Sequence, residues 1–110
     1  MPDQTTWMPV EGGATAGLTG TEGGGIWKDE EHPDGARITL ERDTLLGAPF
    51  AITCNVYGWL VSTRFFADEP TALQQYAAMK LALAEIAALV VAERSDEAAD
   101  AVDRFGEQFP

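Results

Sequence analysis

Residues 50–66 (FAITCNVYGWLVSTRFF) limit the folds open to this chain more than any other segment. β-Branched and aromatic side chains dominate the segment, and Gly58 interrupts it near its centre. As a single strand it would extend roughly 56 Å at about 3.3 Å per residue, which is too long for so small a domain. We therefore predict a hairpin whose turn is Asn55-Val56-Tyr57-Gly58, a type I turn closed by the glycine. A glycine bulge within one bent strand is the alternative.

A second hairpin is predicted from the residues around Pro33-Asp34-Gly35. Proline presets φ for a turn, and glycine accepts the left-handed conformation. Residues 36–41 (ARITLE) then alternate, with Ala36, Ile38 and Leu40 on one face and polar side chains on the other. This alternation is typical of a strand with one buried face.

Residues 71–94 favour a helix because Ala, Leu, Lys, Gln, Met and Glu dominate them. Asp68 and Glu69 place acidic groups at its amino end, where the helix dipole favours them. One apolar stripe at helical spacing contains Tyr76, Met79, Leu83, Ile86 and Val90. Ser95 is a candidate N-cap for a second helix that stops near Gly106, so residues 71–105 form either one helix or two.

Residues 1–25 hold seven of the eleven glycines and five threonines, and they show no helical or strand periodicity. We interpret them as a loop-like arm, which Trp7, Met8 and Val10 are placed to anchor. The chain is then a single domain over 1–110, with the sheet in 26–66 and the helical part in 71–105. The predicted fold class is α+β: a small antiparallel sheet of about four strands in two hairpins, with a long C-terminal helix packed on one face.

The charge balance excludes several kinds of partner. Eighteen acidic against seven basic residues give a net charge of −11, which repels nucleic-acid phosphates. The apolar run AALVVA at 87–92 is far shorter than the ~20 residues needed to span a membrane. The opening MPDQTTWMPV lacks a basic, apolar leader, so we expect a cytoplasmic protein without nucleic-acid or membrane partners.

No catalytic, metal or cofactor motif stands out from the sequence. His32 is the only histidine and Cys54 the only cysteine, too few for a zinc site. A Cys-His or Ser-His nucleophile would have to use His32 as its base on a predicted hairpin tip, which is a poor place to hold catalytic geometry. The acidic run 29–34 has the spacing of a calcium loop, but Pro33 and the strand that follows contradict it, so we interpret it as a solvated hairpin tip. The glycine-rich run 17–28 contains neither GxxxxGK[ST] nor GxGxxG before a helix. We expect neither an enzyme nor a metal or other cofactor.

Aromatic side chains crowd the second hairpin and are the candidate ligand or interface residues. This group consists of Tyr57, Trp59, Arg64 and Phe66. Such residues line pockets or anchor interfaces, although they also build the cores of small sheets, which would leave Arg64 on the solvent face. One alternative function is therefore a small-ligand protein or weak enzyme with a pocket between sheet and helix.

The far side of the long helix is the candidate dimer interface. Small and apolar residues there let a second helix approach closely. The candidates are Ala78, Leu81, Ala82 and Leu89. We expect residues 96–105 to be too few to cover this side, so we predict a homodimer. The leading functional hypothesis is a non-enzymatic, self-associating assembly or protein-binding module; an acidic decoy of a nucleic-acid-binding surface is a further alternative.

Overall fold

The computed structural model describes residues 6–44 and 48–110. Within them a five-stranded antiparallel sheet has its strands in sequence order. The strands are β1 (Met8–Pro9), β2 (Gly25–His32), β3 (Ala36–Arg42), β4 (Phe50–Val56) and β5 (Leu60–Phe66). Two helices follow, α1 (Glu69–Val91) and α2 (Ser95–Gln108). The predicted α+β class is confirmed, and the strand beyond the predicted four comes from the arm.

Glycines in the left-handed region form both predicted hairpin turns. Gly35 has a φ of 103°, and its N–H donates to the carbonyl of His32. Gly58 has a φ of 78° within a turn closed by a bond from the Trp59 N–H to the Val56 carbonyl. The second turn thus begins one residue later than predicted. Seven consecutive pairs join β4 to β5, so the bulge alternative is wrong.

The helical part consists of two helices because the chain turns sharply between them. Asp68 caps α1 by accepting a hydrogen bond of 2.9 Å from the Thr71 N–H, as its acidic amino end predicts. Glu93 adopts a φ of 59°, which ends α1 and redirects the chain. Arg94 rather than Ser95 occupies the N-cap of α2, and α2 continues two residues past Gly106.

The core lies between the sheet and α1. Alternating residues of β3 and β4 face the predicted stripe of α1, and α2 folds back so that two of its side chains and that of Phe109, just after it, join the core. The sheet contributes Ala36, Ile38, Leu40, Ile52, Cys54 and Val56; α1 contributes Tyr76, Met79, Leu83 and Ile86; the C-terminal part contributes Ala101, Phe105 and Phe109. Val90, the last residue of the stripe, is half-buried.

The arm is more structured than its composition indicates. Trp7 and Val10 are buried as proposed, whereas Met8 is exposed. Residues 18–25 then cross the face of the sheet opposite α1, with a bridge between Thr19 and Gly25. The arm therefore covers β3 on that side, and its interpretation as a loop without strand structure is wrong.

Candidate functional site

The sheet has two different faces. The inner face packs against α1; the outer face is partly covered by the arm. Cross-strand pairing aligns a polar row over four strands of the outer face, Asp29, Thr39, Thr53 and Thr63. The hydroxyl oxygens of Thr53 and Thr63 lie 3.2 Å apart. The centre of the outer face is thus polar, although the arm lies over part of this face.

An ion pair between the buried Asp29 and the exposed Arg37 anchors the polar row at β2. The Arg37 guanidinium donates two hydrogen bonds, of 2.9 and 2.7 Å, to the carboxylate of Asp29, and the Thr39 hydroxyl donates a third of 3.0 Å. Burial disfavours the charged carboxylate. The hydrogen bonds from Arg37, Thr15 and Thr39 outweigh that burial, so the pKa of Asp29 lies below its usual value. The charges of Asp29 and Arg37 therefore neutralise each other within the chain.

The glycine-rich arm closes over a second buried carboxylate. Glu41 is fully buried, and its carboxylate accepts N–H bonds from Glu22 at 3.1 and 3.3 Å and from Gly24 at 3.1 Å. Gly20 passes so near that a Cβ there would overlap the Glu41 carboxyl group. The backbone N–H groups that would bind a phosphate in a phosphate loop thus bind the chain's own carboxylate.

Between the arm and β4 lies an open groove of about 460 Å³. Threonine hydroxyls, Arg37, Asn55 and the apolar wall of Ile26 line it. The buried carboxylate of Glu41 also lines the groove, and none of its lining residues is aromatic. Most of these residues are polar, and Arg37 and Glu41 are the charged ones among them.

Three exposed large apolar side chains lie on the β4–β5 hairpin. Tyr57, at its turn, is 87% exposed, and Val61 and Phe65, on the outer face of β5, are 75% and 42% exposed. β5 is also the last strand of the sheet, so within the described residues one of its sides has no neighbouring strand. We call this unpaired side, with the outward Val61 and Phe65, the β5 edge.

The predicted aromatic group is divided rather than assembled. Trp59 and Phe66 pack, half-buried, against the core, while Tyr57 points into solvent. Arg64 faces the helices rather than solvent and donates a 2.7 Å hydrogen bond to the carbonyl of Phe109. The layer that would hold a ligand between sheet and helix is filled by core side chains. The exposed apolar residues of this hairpin strand are Val61 and Phe65 rather than the predicted group. The strand alternation of LVSTRFF places these two residues on the same face, and this pattern could have identified them from the sequence.

Neither His32 nor Cys54 is placed for nucleophilic chemistry. Cys54 is buried beside Met79, with 3.7 Å between the sulfur atoms, and burial raises the pKa of its thiol to about 12. His32 is buried edge-on against Trp7, with a ring-centre distance of 5.3 Å. Its Nδ1 accepts the Asp34 N–H, and its Nε2 lies 2.9 Å from the Thr6 hydroxyl. Both residues act as packing groups.

The acidic run 29–34 is not a solvated tip, because most of it lies in β2, where successive side chains alternate between faces. Asp29 points to the outer face. Glu30 points inward, where it accepts hydrogen bonds from the Tyr76 hydroxyl at 2.7 Å and the Lys80 ammonium at 3.1 Å. Burial, together with the bond to Glu30, raises the pKa of Tyr76. Nowhere in residues 6–44 and 48–110 do three or more His, Cys, Asp or Glu residues form a group that could hold a metal ion.

The predicted dimer residues lie along the boundary between the two helices. α2 covers part of this side of α1, so Ala78, Ala82 and Leu89 are half-buried, and Leu81 remains 53% exposed. The expectation that residues 96–105 are too few to cover it is therefore wrong in part. An open cleft of about 400 Å³ remains beside Leu81 and Glu85.

Comparisons with protein-family models, curated proteins and solved structures each return no significant match. In the described part of the chain, neither helix combines the length and apolar character that crossing a membrane requires.

Proposed function

We propose that this chain is a non-enzymatic protein-binding module that accepts an extended polypeptide segment as an additional strand along the β5 edge. The observation that carries this proposal is the combination of a seven-residue terminal strand with two exposed apolar side chains on it. Strand addition gives affinity through main-chain hydrogen bonds, and side chains on alternate positions give specificity.

The chemistry of the rest of the molecule supports a binding role. The thiol and the imidazole are buried in packing contacts, and Asp29, Glu30 and Glu41 are each engaged by donors of the chain itself. Groups already engaged in this way are poorly placed to act as general acids or bases. A reduced, buried Cys54 fits the cytoplasmic location that we propose for the protein.

A peptide that copies residues 60–66 tests strand addition directly. Titrated into isotopically labelled protein, it should shift the amide resonances of β5 and slow their hydrogen exchange, because an added strand occupies the outward N–H groups. A scrambled peptide of the same composition controls for attraction between its single Arg and the acidic chain. The Val61→Lys variant should weaken binding, and Leu81→Lys, on the helical side, should not.

Two outcomes would contradict the proposal. One is the absence of any shift at the solubility limit of the peptide when the protein is dilute enough to be monomeric by sedimentation. The other is a set of shifts that maps to the outer groove or the helices and persists in the Val61→Lys variant.

A further inference from the structure

The two edges of the sheet differ in their protection against added strands. β1 has only two residues and includes Pro9, which lacks an N–H. β5 has seven residues, contains no proline, and pairs with β4 without a bulge. Short strands, prolines, bulges and charged side chains are the usual means by which sheets prevent edge-to-edge association. Of these, β5 has only Arg64, which points inward and is bonded to the Phe109 carbonyl of its own chain.

We infer that the strand added at the β5 edge is β5 of a second copy of this chain, so that two sheets join into one of ten strands. This inference rests on the proposed function and names its partner. A two-fold axis through Thr63 pairs all seven residues of β5 with their counterparts. On the outer face, Val61 lies opposite Phe65 of the partner subunit, and the same pair forms again across the axis. A β-branched residue opposite an aromatic one is a favourable cross-strand pair.

Other registers fit less well. Residues directly opposite in an antiparallel pair share a face of the sheet. The two-fold axis must therefore lie midway between the two copies of one residue, and a register is named by that residue. An axis at Ser62 places Val61 opposite Thr63 of the partner subunit. An axis at Arg64 places Phe65 opposite that same threonine. Both also leave strand ends unpaired. The register centred on Thr63 joins the two exposed apolar residues in both halves of the interface.

The distribution of charge permits a second acidic copy to approach at this edge. Residues 57–67 contain one charged side chain, Arg64, which is held on the helix side by the Phe109 carbonyl. The net charge of −11 is carried elsewhere, including the acidic side chains of α2. Two copies repel at long range, so added salt should strengthen their association by screening. A basic partner would show the opposite salt dependence.

The helical cleft is a poorer place for the second copy. α2 already covers part of the side of α1 that carries Leu81, and Glu85 lines the cleft that remains. A second acidic chain seated there would bring its own charge against that carboxylate, whereas β5 presents no acidic side chain.

Analytical ultracentrifugation of the full chain over a range of concentrations tests the inference. We expect the wild type to form a dimer that tightens when sodium chloride is added. Val61→Lys should raise the dimer dissociation constant at least ~10-fold, because each dimer contains the introduced charge twice. Leu81→Lys should leave it unchanged. Both positions are exposed in the single chain, and amide spectra of each variant verify the fold.

A mixing experiment tests the register. The V61K chain and the F65E chain should each be monomeric alone, yet associate when mixed. In the Thr63 register, the introduced ammonium then faces the introduced carboxylate, while the second Val61 and Phe65 remain an apolar pair. Mixtures that stay monomeric while the wild type dimerises would overturn this register.

The outcomes separate the inference from the proposed function. A wild type that remains monomeric at all concentrations and salts, yet binds the β5 peptide, overturns the dimer and leaves strand addition intact. A dimer that Leu81→Lys disrupts and Val61→Lys does not overturns the inference in favour of the helical side. Absence of both dimer and peptide binding overturns both.

Discussion

Replacing Glu41 by Gln should loosen the N-terminal arm while keeping the shape of the side chain. In the native chain this buried carboxylate accepts the Glu22 and Gly24 N–H groups. A hydrogen bond to a charged acceptor contributes about 1.5–3 kcal/mol. Both short bonds go to Oε1, so a carboxamide that keeps this oxygen still accepts them, but as weaker bonds to a neutral acceptor, and its NH2 group replaces Oε2, which lies 3.3 Å from the Glu22 nitrogen. We therefore expect the free energy of unfolding to fall by about 2–3 kcal/mol.

Urea denaturation of the Glu41→Gln variant measures this loss. The matched control is Glu31→Gln, which makes the same chemical change at an exposed position of β2 and should alter stability by less than about 0.5 kcal/mol. Hydrogen exchange should also accelerate at Glu22 and Gly24 in the first variant alone. If the two variants unfold at the same urea concentration, the arm is not held by Glu41 and the reasoning fails.

Three further predictions concern the thiol, two glycines and metal ions. Burial raises the pKa of Cys54 from 9.0 to about 12, so its contribution to stability is complete below pH 9 and is lost as the pH rises toward 12. The free energy of unfolding from urea denaturation should fall with pH in that range by about 1.4 kcal/mol per pH unit for this group, and less steeply in Cys54→Ala. Gly58→Val should lower the free energy of unfolding by about 1–3 kcal/mol because the φ of Gly58 is positive. Gly106→Ala should raise it by about 0.5–1 kcal/mol because Gly106 lies inside α2, where alanine is the better helix former. Calorimetry measures both changes. Melting temperatures with and without EDTA should coincide, because the acidic side chains of 29–34 are divided between the two faces of the sheet; a drop on chelation would contradict this.

The elements that depend on local pattern were predictable from the sequence. The alternation of residues 36–41 identified the buried face of β3, and the helical spacing of Tyr76 to Ile86 identified the side of α1 that packs on it. Gly35 and Gly58 marked both turns because each requires a backbone conformation that other residues rarely adopt. A positive φ is not confined to the hairpin turns, since Gly12 in the arm has a φ of 66°.

What the sequence did not reveal depends on contacts between distant segments. Glu41 shares the polar face of β3 with Arg37 and Thr39, so alternation alone predicts that it is exposed to solvent. It is buried because residues 20–24, far away in the chain, pass over it. The acidic run 29–34 was interpreted as a turn because its composition is polar, but pairing with β3 extends β2 through His32. The burial of Leu89 likewise depends on where α2 returns after the turn at Glu93.

The sequence-ordered sheet also has a consequence for the order in which the chain folds. Each strand from β2 to β5 pairs with the next one synthesised, so these hairpins close over short separations and should form early. The arm is different, because its carboxylate anchor, Glu41, follows Glu22 by 19 residues and Gly24 by 17. The other end of the arm is held by the contact of Trp7 with His32, a residue that is also synthesised later than the arm. Although the arm is synthesised before the residues that hold it, it must therefore wait for the sheet, and we expect it to be among the last parts of the described chain to become ordered.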